Sequence, residues 1–323
     1  MTHVNLCRTI SMGCLLLLLT GCGLLGYDYV YNRIDKLLAD RIEHTLDLNR
    51  MQSKRLADSL KALHQQHRLT ELPYYVAYLE YVNTVTADGL TGDEAKAIMN
   101  NLDILYTRLM AQFIPVLAVT LNELNDDQLI HLEKQFVVYN EEKHREFGLA
   151  SHEERLRSRI DRHREAYVFW LGSLTKTQEI LIENNANNFP DIEPLWQNRR
   201  TSMQRALLNL LWQHADSATL GKLLYRWSVE DNDKPPDLSK AEKQAAKQVI
   251  ALTIRLFDAL EPRQKAHLRN KLEKLAETLE ALTPTESRIK IAGYRRAFLQ
   301  NAVQLSASAN CFNVASDKAA SSC

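Results

Sequence analysis

The chain has 323 residues, with 40 basic side chains balanced by 40 acidic ones. A formal charge of zero argues against a partner gripped by bulk charge, such as nucleic acid, and the length is enough for one large core or two modest ones. Of the 10 glycines, four fall in the first 26 residues; so few in the remainder, amid abundant Leu, Ala, Glu, Lys, Arg and Gln, favour helix nearly throughout.

The chain opens on "MTHVNLCR", with one positive charge at Arg8, followed by an apolar run from Thr9 to Leu19. That run is too short for a transmembrane helix, which needs roughly 20 residues, and it fits the apolar region of an export signal. The sequence then reads Leu19-Thr20-Gly21-Cys22, which resembles a bacterial lipobox. The resemblance implies removal of residues 1–21 and diacylation of Cys22, and with Gly23 next it implies the periplasmic face of the outer membrane. Two acyl chains make such anchoring stable. Gly21-Cys-Gly23-Leu-Leu-Gly26 matches a dinucleotide-binding fingerprint by letter only, because no strand precedes it.

Further along, Tyr27, Val30, Tyr31, Ile34, Leu37, Leu38, Ile42 and Leu46 form one stripe at helical spacing, and Leu268, Leu272, Leu275, Leu279 and Leu282 form another. Breaks are expected at Pro73, at Gly148, at Gly172, in the "NNFPDIEP" turn and in "EDNDKPPDL", with a kink at Pro115. These predict an all-α protein, an extended bundle or array of about ten helices without a sheet. The double proline at Pro235 and Pro236 separates a main helical domain, 22–234, from a C-terminal helical subdomain docked on it, 235–305. A Ser/Ala-rich tail, 306–323, ends the chain. Cys311 and Cys323 could pair there in an oxidising periplasm.

One short pattern recurs: Leu48-Asn-Arg-Met-Gln52, Leu90-Thr-Gly-Asp-Glu94, Leu124-Asn-Asp-Asp-Gln128, Leu174-Thr-Lys-Thr-Gln178, Leu260-Glu-Pro-Arg-Gln264 and Leu282-Thr-Pro-Thr-Glu286. A Thr or Asn followed three residues later by Gln or Glu is the capping box that starts a helix. Pro262 and Pro284 are expected at the first helical position. Leu174-Thr-Lys-Thr-Gln178 also resembles the LTxxQ signature of Spy and CpxP type periplasmic chaperones, which implies holding of polypeptides.

A broader resemblance rests on the lipobox, Tyr31-Asn-Arg-Ile-Asp35, Leu46-Asp-Leu with Gln52, and His67-Arg68 with Glu71-Leu-Pro-Tyr-Tyr75. This order is similar to an uncharacterised family of proteobacterial lipoproteins carrying a domain of unknown function, over residues 19 to about 285. The resemblance implies a helical periplasmic lipoprotein and supplies no catalytic residues.

Chemistry finds little support. His64 and His67 share a helix face but make an incomplete metal site. A di-iron bundle needs two Glu-x-x-His motifs, and Glu141 to His144 is the sole instance weighed; "SHEERL" at Ser151 begins like a zincin but has Leu156 where a second histidine belongs. No metal, no cofactor and no enzyme activity is expected. Arg155, Arg159 and Arg162 fall on one helix face and form the candidate partner-binding site, suited to phosphate, glycan carboxylates or an acidic partner; the alternative is a solvated, ion-paired hairpin. Trp196, Trp212 and Trp227 are expected in the core. The reading is a lipid-anchored binding protein, chaperone-like or scaffolding for envelope proteins, held to the membrane by its N-terminal lipid. The alternative is an accessory factor touching peptidoglycan or lipid phosphate through the arginine face.

Overall fold

A computed structural model describes residues 27–145 and 151–300. Cys22, Cys311, Cys323 and the expected break at Gly148 lie outside these residues. The protein is all-α: 85% helical, with 13 helices and no strand among the described residues. In chain order they are α1 (Tyr27–Tyr31), α2 (Ile34–Leu46), α3 (Arg50–Thr70), α4 (Leu72–Val85), α5 (Gly92–Asn122), α6 (Asp126–Lys143) and α7 (His152–Leu171). There follow α8 (Lys176–Asn187), α9 (Glu193–Trp212), α10 (Ser217–Tyr225), a π-helical turn (Arg226–Glu230), α11 (Pro236–Asp258), α12 (Pro262–Leu282) and α13 (Thr285–Arg288). The chain is helical again over 291–300.

Two hydrophobic cores share one spine. The first joins Val76, Ala77 and Tyr81 of α4 to Leu105 of α5, Leu171 of α7, Leu268, Leu272 and Leu275 of α12, and Phe298. The second joins Ala39 and Leu46 of α2 to Leu56 and Leu60 of α3, Ala118 and Leu121 of α5, Leu129 and Leu132 of α6, Leu211 of α9 and Leu220 of α10. The 31-residue α5 is thus the spine, reaching one core with its first half and the other with its last two turns. Because α12 lies along α4, the first core draws on chain from both sides of Pro235. The leucine stripe of α12 turns inward as its spacing predicts. The N-terminal stripe does not stay whole: α1 and α2 are separate helices, and Leu37 is 50% exposed.

Pro115 does not interrupt α5. A proline lacks the N–H owed to the carbonyl four residues earlier, here Ala111, and the helix carries this local loss because neighbours on both sides are pinned in a core. Pro262 does open α12, but Pro284 sits one position before α13. Gly172 closes α7 with φ of 80° and a Cβ there would come within 3.0 Å of the His267 ring, so both backbone and packing call for glycine.

The recurring pattern separates into two classes once the fold is seen. Asn49, Thr91, Asn125 and Thr175 each accept the N3 amide and complete a capping box. Where N3 is glutamine, the box is also paired with another. Gln178 Nε2 donates to Gln264 Oε1 at 2.9 Å, and Gln264 Nε2 donates back to Gln178 Oε1 at 2.8 Å. Each Oε1 accepts the N–H of its own cap residue, Thr175 at 2.9 Å and Glu261 at 3.0 Å. Each Nε2 also donates to the carbonyl two residues before the other helix's cap, Ala259 and Ser173. Gln52 and Gln128 repeat this arrangement, through Asn49, Asn125, Glu123 and Asp47. All four amides are buried, at 0–5% exposure.

A glutamate cannot take this role, since a carboxylate accepts and does not donate. Glu94 accordingly caps α5 alone at the surface, and the Thr283 hydroxyl turns back to the Leu279 carbonyl, so the sixth copy forms no box. The pattern is therefore a device for joining helix starts in pairs, α3 with α6 and α8 with α12.

Candidate binding groove and the clusters that frame it

Between α5 and α10 runs an open groove of about 630 Å³. Its floor is Ile114 and Ala118, and its sides are Ala111, Pro115 and Val119 from α5 with Ala218, Gly221 and Tyr225 from α10. Small residues at helical spacing on both walls create the hollow: a Cβ on Gly221 would meet Ala118 Cβ at 3.7 Å, so the two helices approach closely there and no side chain fills the space above. Lys222, Arg226 and Glu230 form a charged rim. The Ala111 carbonyl, deprived of a donor by Pro115, adds a polar point within the apolar lining.

The best 18-residue window of α5 has mean hydropathy 1.6, with 28% of that window fully buried. Much of the remainder is partly covered, Ile98, Leu102 and Tyr106 by the first core and Phe113, Val116 and Leu117 by the second. Ile104 and Val119 stand 43% and 52% exposed, and Ala111 and Pro115 are exposed with Val119 along the groove. Exposed apolar side chains gathered along a groove and rimmed by charge mark a contact site.

The rim is held by a buried ion cluster. After the π-helical turn, Asp231 adopts a left-handed conformation with φ of 54°. Arg199 of α9 donates to Asp231 at 2.9 Å and to Asp233 at 3.0 Å, while Lys234 bridges Asp231 and Glu242 of α11. Arg199, Asp231, Lys234 and Glu242 are each at most 6% exposed. Burial pushes the Glu242 carboxyl up, with Lys234 opposing. The cluster fastens the groove wall to α9 and α11 at once, and π-helical turns of this kind are frequent at functional sites.

The three arginines of α7 share a face; Arg155 and Arg159 turn inward from it, and Arg162 stands at its edge with its side chain 45% exposed. Arg155 forks onto Asp191, with its shortest contact at 2.6 Å; Arg159, 4% exposed, donates to the Ala186 carbonyl and lies 3.5 Å from both Asp191 and Glu193; Arg162 donates to Glu193 at 3.0 Å. The "NNFPDIEP" turn thus supplies acids that neutralise them, and the arginines tie α7 to the start of α9. Most of the charge on Arg155 and Arg159 is therefore met within the fold. "SHEE" at Ser151 is a capping box rather than a metal motif. Trp212 is 40% exposed at the end of α9, contrary to its expected core position.

The residues of the N-terminal signature converge where α1, α3 and α4 meet. His67 lies between two tyrosines, Tyr31 Oη at 2.9 Å from Nδ1 and Tyr75 Oη at 3.2 Å from Nε2. Both ring nitrogens are therefore engaged, and His67 and His64 do not form a chelating pair. Next to it Glu71, 1% exposed, receives a two-pronged contact from Arg108 and a bond from Gln112 at 2.7 Å. Burial, partly opposed by Glu71, lowers the His67 pKa from 6.5 to about 4.

A depressed base pKa means that the unfolded chain takes the proton first. The stability His67 confers is present above pH 6.5 and lost as pH falls to about 4. Thermal or urea unfolding across that window should show a loss of about 3 kcal/mol that His67→Gln, which cannot titrate, removes. An unchanged slope in the variant would count against a buried, neutral His67.

Residues 44–229 match the model of a Family of unknown function (DUF6279), more than half of the chain. The chain belongs to this family. The DUF6279 match is narrower than the span of 19 to 285 suggested by resemblance, but it takes in α3 to α10, the whole of the Gln52–Gln128 pair and nearly all of the groove. It stops before Asp231, Lys234, Glu242 and Gln264. No curated protein and no solved structure matches the chain.

Proposed function

We propose that this protein is a lipid-anchored binding protein of the periplasmic face of the outer membrane, which holds apolar stretches of envelope polypeptides in the α5–α10 groove. The observation that carries the reading is the groove itself, in which Ala111, Pro115 and Val119 of α5 and Ala218 of α10 are exposed beside one another and edged by Lys222, Arg226 and Glu230. Such a surface favours contact over covalent chemistry: its lining is mostly apolar, with Ser217 and Tyr225 the polar side chains there, and its charges stand at the rim. The LTxxQ resemblance agrees with a chaperone-like role, and Cys22 supplies the anchor.

Charges placed in the lining should remove the activity while sparing the fold, because Val119 and Ala218 are exposed in the groove. The mature chain with Cys22→Ser should slow aggregation of a diluted, denatured outer-membrane protein at stoichiometric ratio. Ala218→Glu or Val119→Glu should weaken that protection about tenfold, the equivalent of about 1.4 kcal/mol. Wild-type chain that gives no protection, or groove variants that protect equally well, would refute the proposal.

A further inference from the structure

The fold brings two distant segments to the same corner. Asn32 and Tyr31, at the end of α1, engage Arg68 near the C-terminus of α3, by a side-chain hydrogen bond and by stacking of the guanidinium 5.4 Å from the Tyr31 ring. Lys290, in the turn beyond α13, reaches the neighbouring Leu69 carbonyl at 3.5 Å. Around this corner stand large apolar side chains turned to solvent, Ile289 at 84% exposure and Tyr29 at 60%, with Leu37 at 50% one helix further on.

Basic groups accompany them. Arg33 covers the Tyr29 ring at 4.3 Å, and Lys36, Arg288, Lys290 and Arg296 are exposed. From Ser287 to Gln300 the chain carries four basic residues, Arg288, Lys290, Arg295 and Arg296, and no acid; Asp28, Asp35, Asp40 and Glu286 are acids of the adjoining segments, and Arg295 pairs with Glu80 of α4. Isolated exposed apolar residues are ordinary on a soluble surface. An isoleucine and a tyrosine on two segments that both reach the last turn of α3, each flanked by cations, form the composition that settles into a headgroup layer.

We infer that this corner is a membrane-docking face, in which Tyr29 and Ile289 enter the headgroup layer of a phospholipid bilayer while Arg33, Lys36 and Lys290 meet its phosphates. The choice of a bilayer as occupant rests on the anchor at Cys22 and on the length of the tether. Only Gly23 to Gly26 separate Cys22 from α1, so five Cα steps, about 18 Å at full extension, are the greatest distance between the acylated residue and Tyr27. An acylated Cys22 therefore keeps the α1 corner within about 18 Å of the lipid, and cations that close to anionic headgroups act within roughly two Debye lengths.

Vesicle sedimentation of the mature chain with Cys22→Ser tests the face without the anchor. Binding to vesicles of phosphatidylethanolamine with phosphatidylglycerol should exceed binding to phosphatidylcholine alone, and should weaken with salt. Arg33→Glu with Lys290→Glu should lower it about twentyfold or more, at roughly a factor of five per charge near the surface. Ile289→Ser alone, at a position too exposed to disturb folding, should lower it several-fold through lost apolar insertion. Circular dichroism checks that each variant is helical. Wild-type chain that stays in the supernatant, or variants that sediment as wild type does, would overturn the inference. Mass spectrometry of Cys22 from membranes tests acylation separately: an unmodified thiol would defeat the anchor reading while leaving the vesicle result to decide the face.

Discussion

Replacing Gln178 by Leu should cost about 3 kcal/mol of stability, whereas Glu94→Ala, at the same place in the same five-residue pattern, should cost well under 1 kcal/mol. The difference lies in what each side chain leaves behind. Gln178 is fully buried and takes part in four hydrogen bonds; its loss strands the Thr175 N–H and the Ala259 carbonyl and halves the partners of the Gln264 amide. Each buried polar group left without a partner costs about 1–3 kcal/mol. Glu94 holds only its own exposed helix start, a contribution at the lower end of capping energies. Urea unfolding of the two variants decides between them, and equal losses would mean that the paired amides add nothing to ordinary capping. Gln178→Glu should also fail to rescue, because a carboxylate cannot donate to the Ala259 and Gln264 oxygens.

The second large effect is expected at Arg199. Arg199→Met leaves Asp231 and Glu242, both 4% exposed, with Lys234 as their shared cation, and removal of one partner from a buried ion cluster costs about 3–5 kcal/mol. Arg199→Lys should recover only part of this, since one ammonium does not reproduce the fork onto Asp231 and Asp233. The consequence should reach function. Asp231 fixes the end of the π-helical turn that carries Arg226 and Glu230 on the groove rim, so under conditions where the folded state still predominates, the Met variant should protect an aggregating polypeptide less well although Arg199 is not in the groove. Stability lost with protection intact would separate the cluster from the groove.

Helix class and helix starts were legible because both are local: glycine scarcity, leucine periodicity and Thr/Asn followed by Gln. What those starts do was not, because Gln52 and Gln128 lie 76 residues apart and Gln178 and Gln264 lie 86 apart. The chemical clue was nonetheless present, in the choice of Gln over Glu at the last position of four copies. The arginines of α7 show the opposite case. Their shared face followed from spacing, but periodicity cannot tell a face turned to solvent from one turned to Asp191 and Glu193, whose approach depends on how the turn before α9 folds back. Leu37 departs for the same reason, since an apolar stripe reads alike whether a core covers it or a partner does. Pro115 stays inside α5, because packing at both ends of the helix outweighs one missing backbone bond.

The groove is tested most directly by asking what touches it in the cell. A photoreactive phenylalanine analogue at Ala218, facing the groove, and a second at Lys265, an exposed residue on α12, can be activated in intact cells that carry the full-length chain. Crosslinks from position 218 to envelope polypeptides, absent from position 265 and lost when Val119→Glu is added, are the predicted result. Equal labelling from both positions, or labelling at 218 that persists with Val119→Glu, would contradict the groove as the binding site.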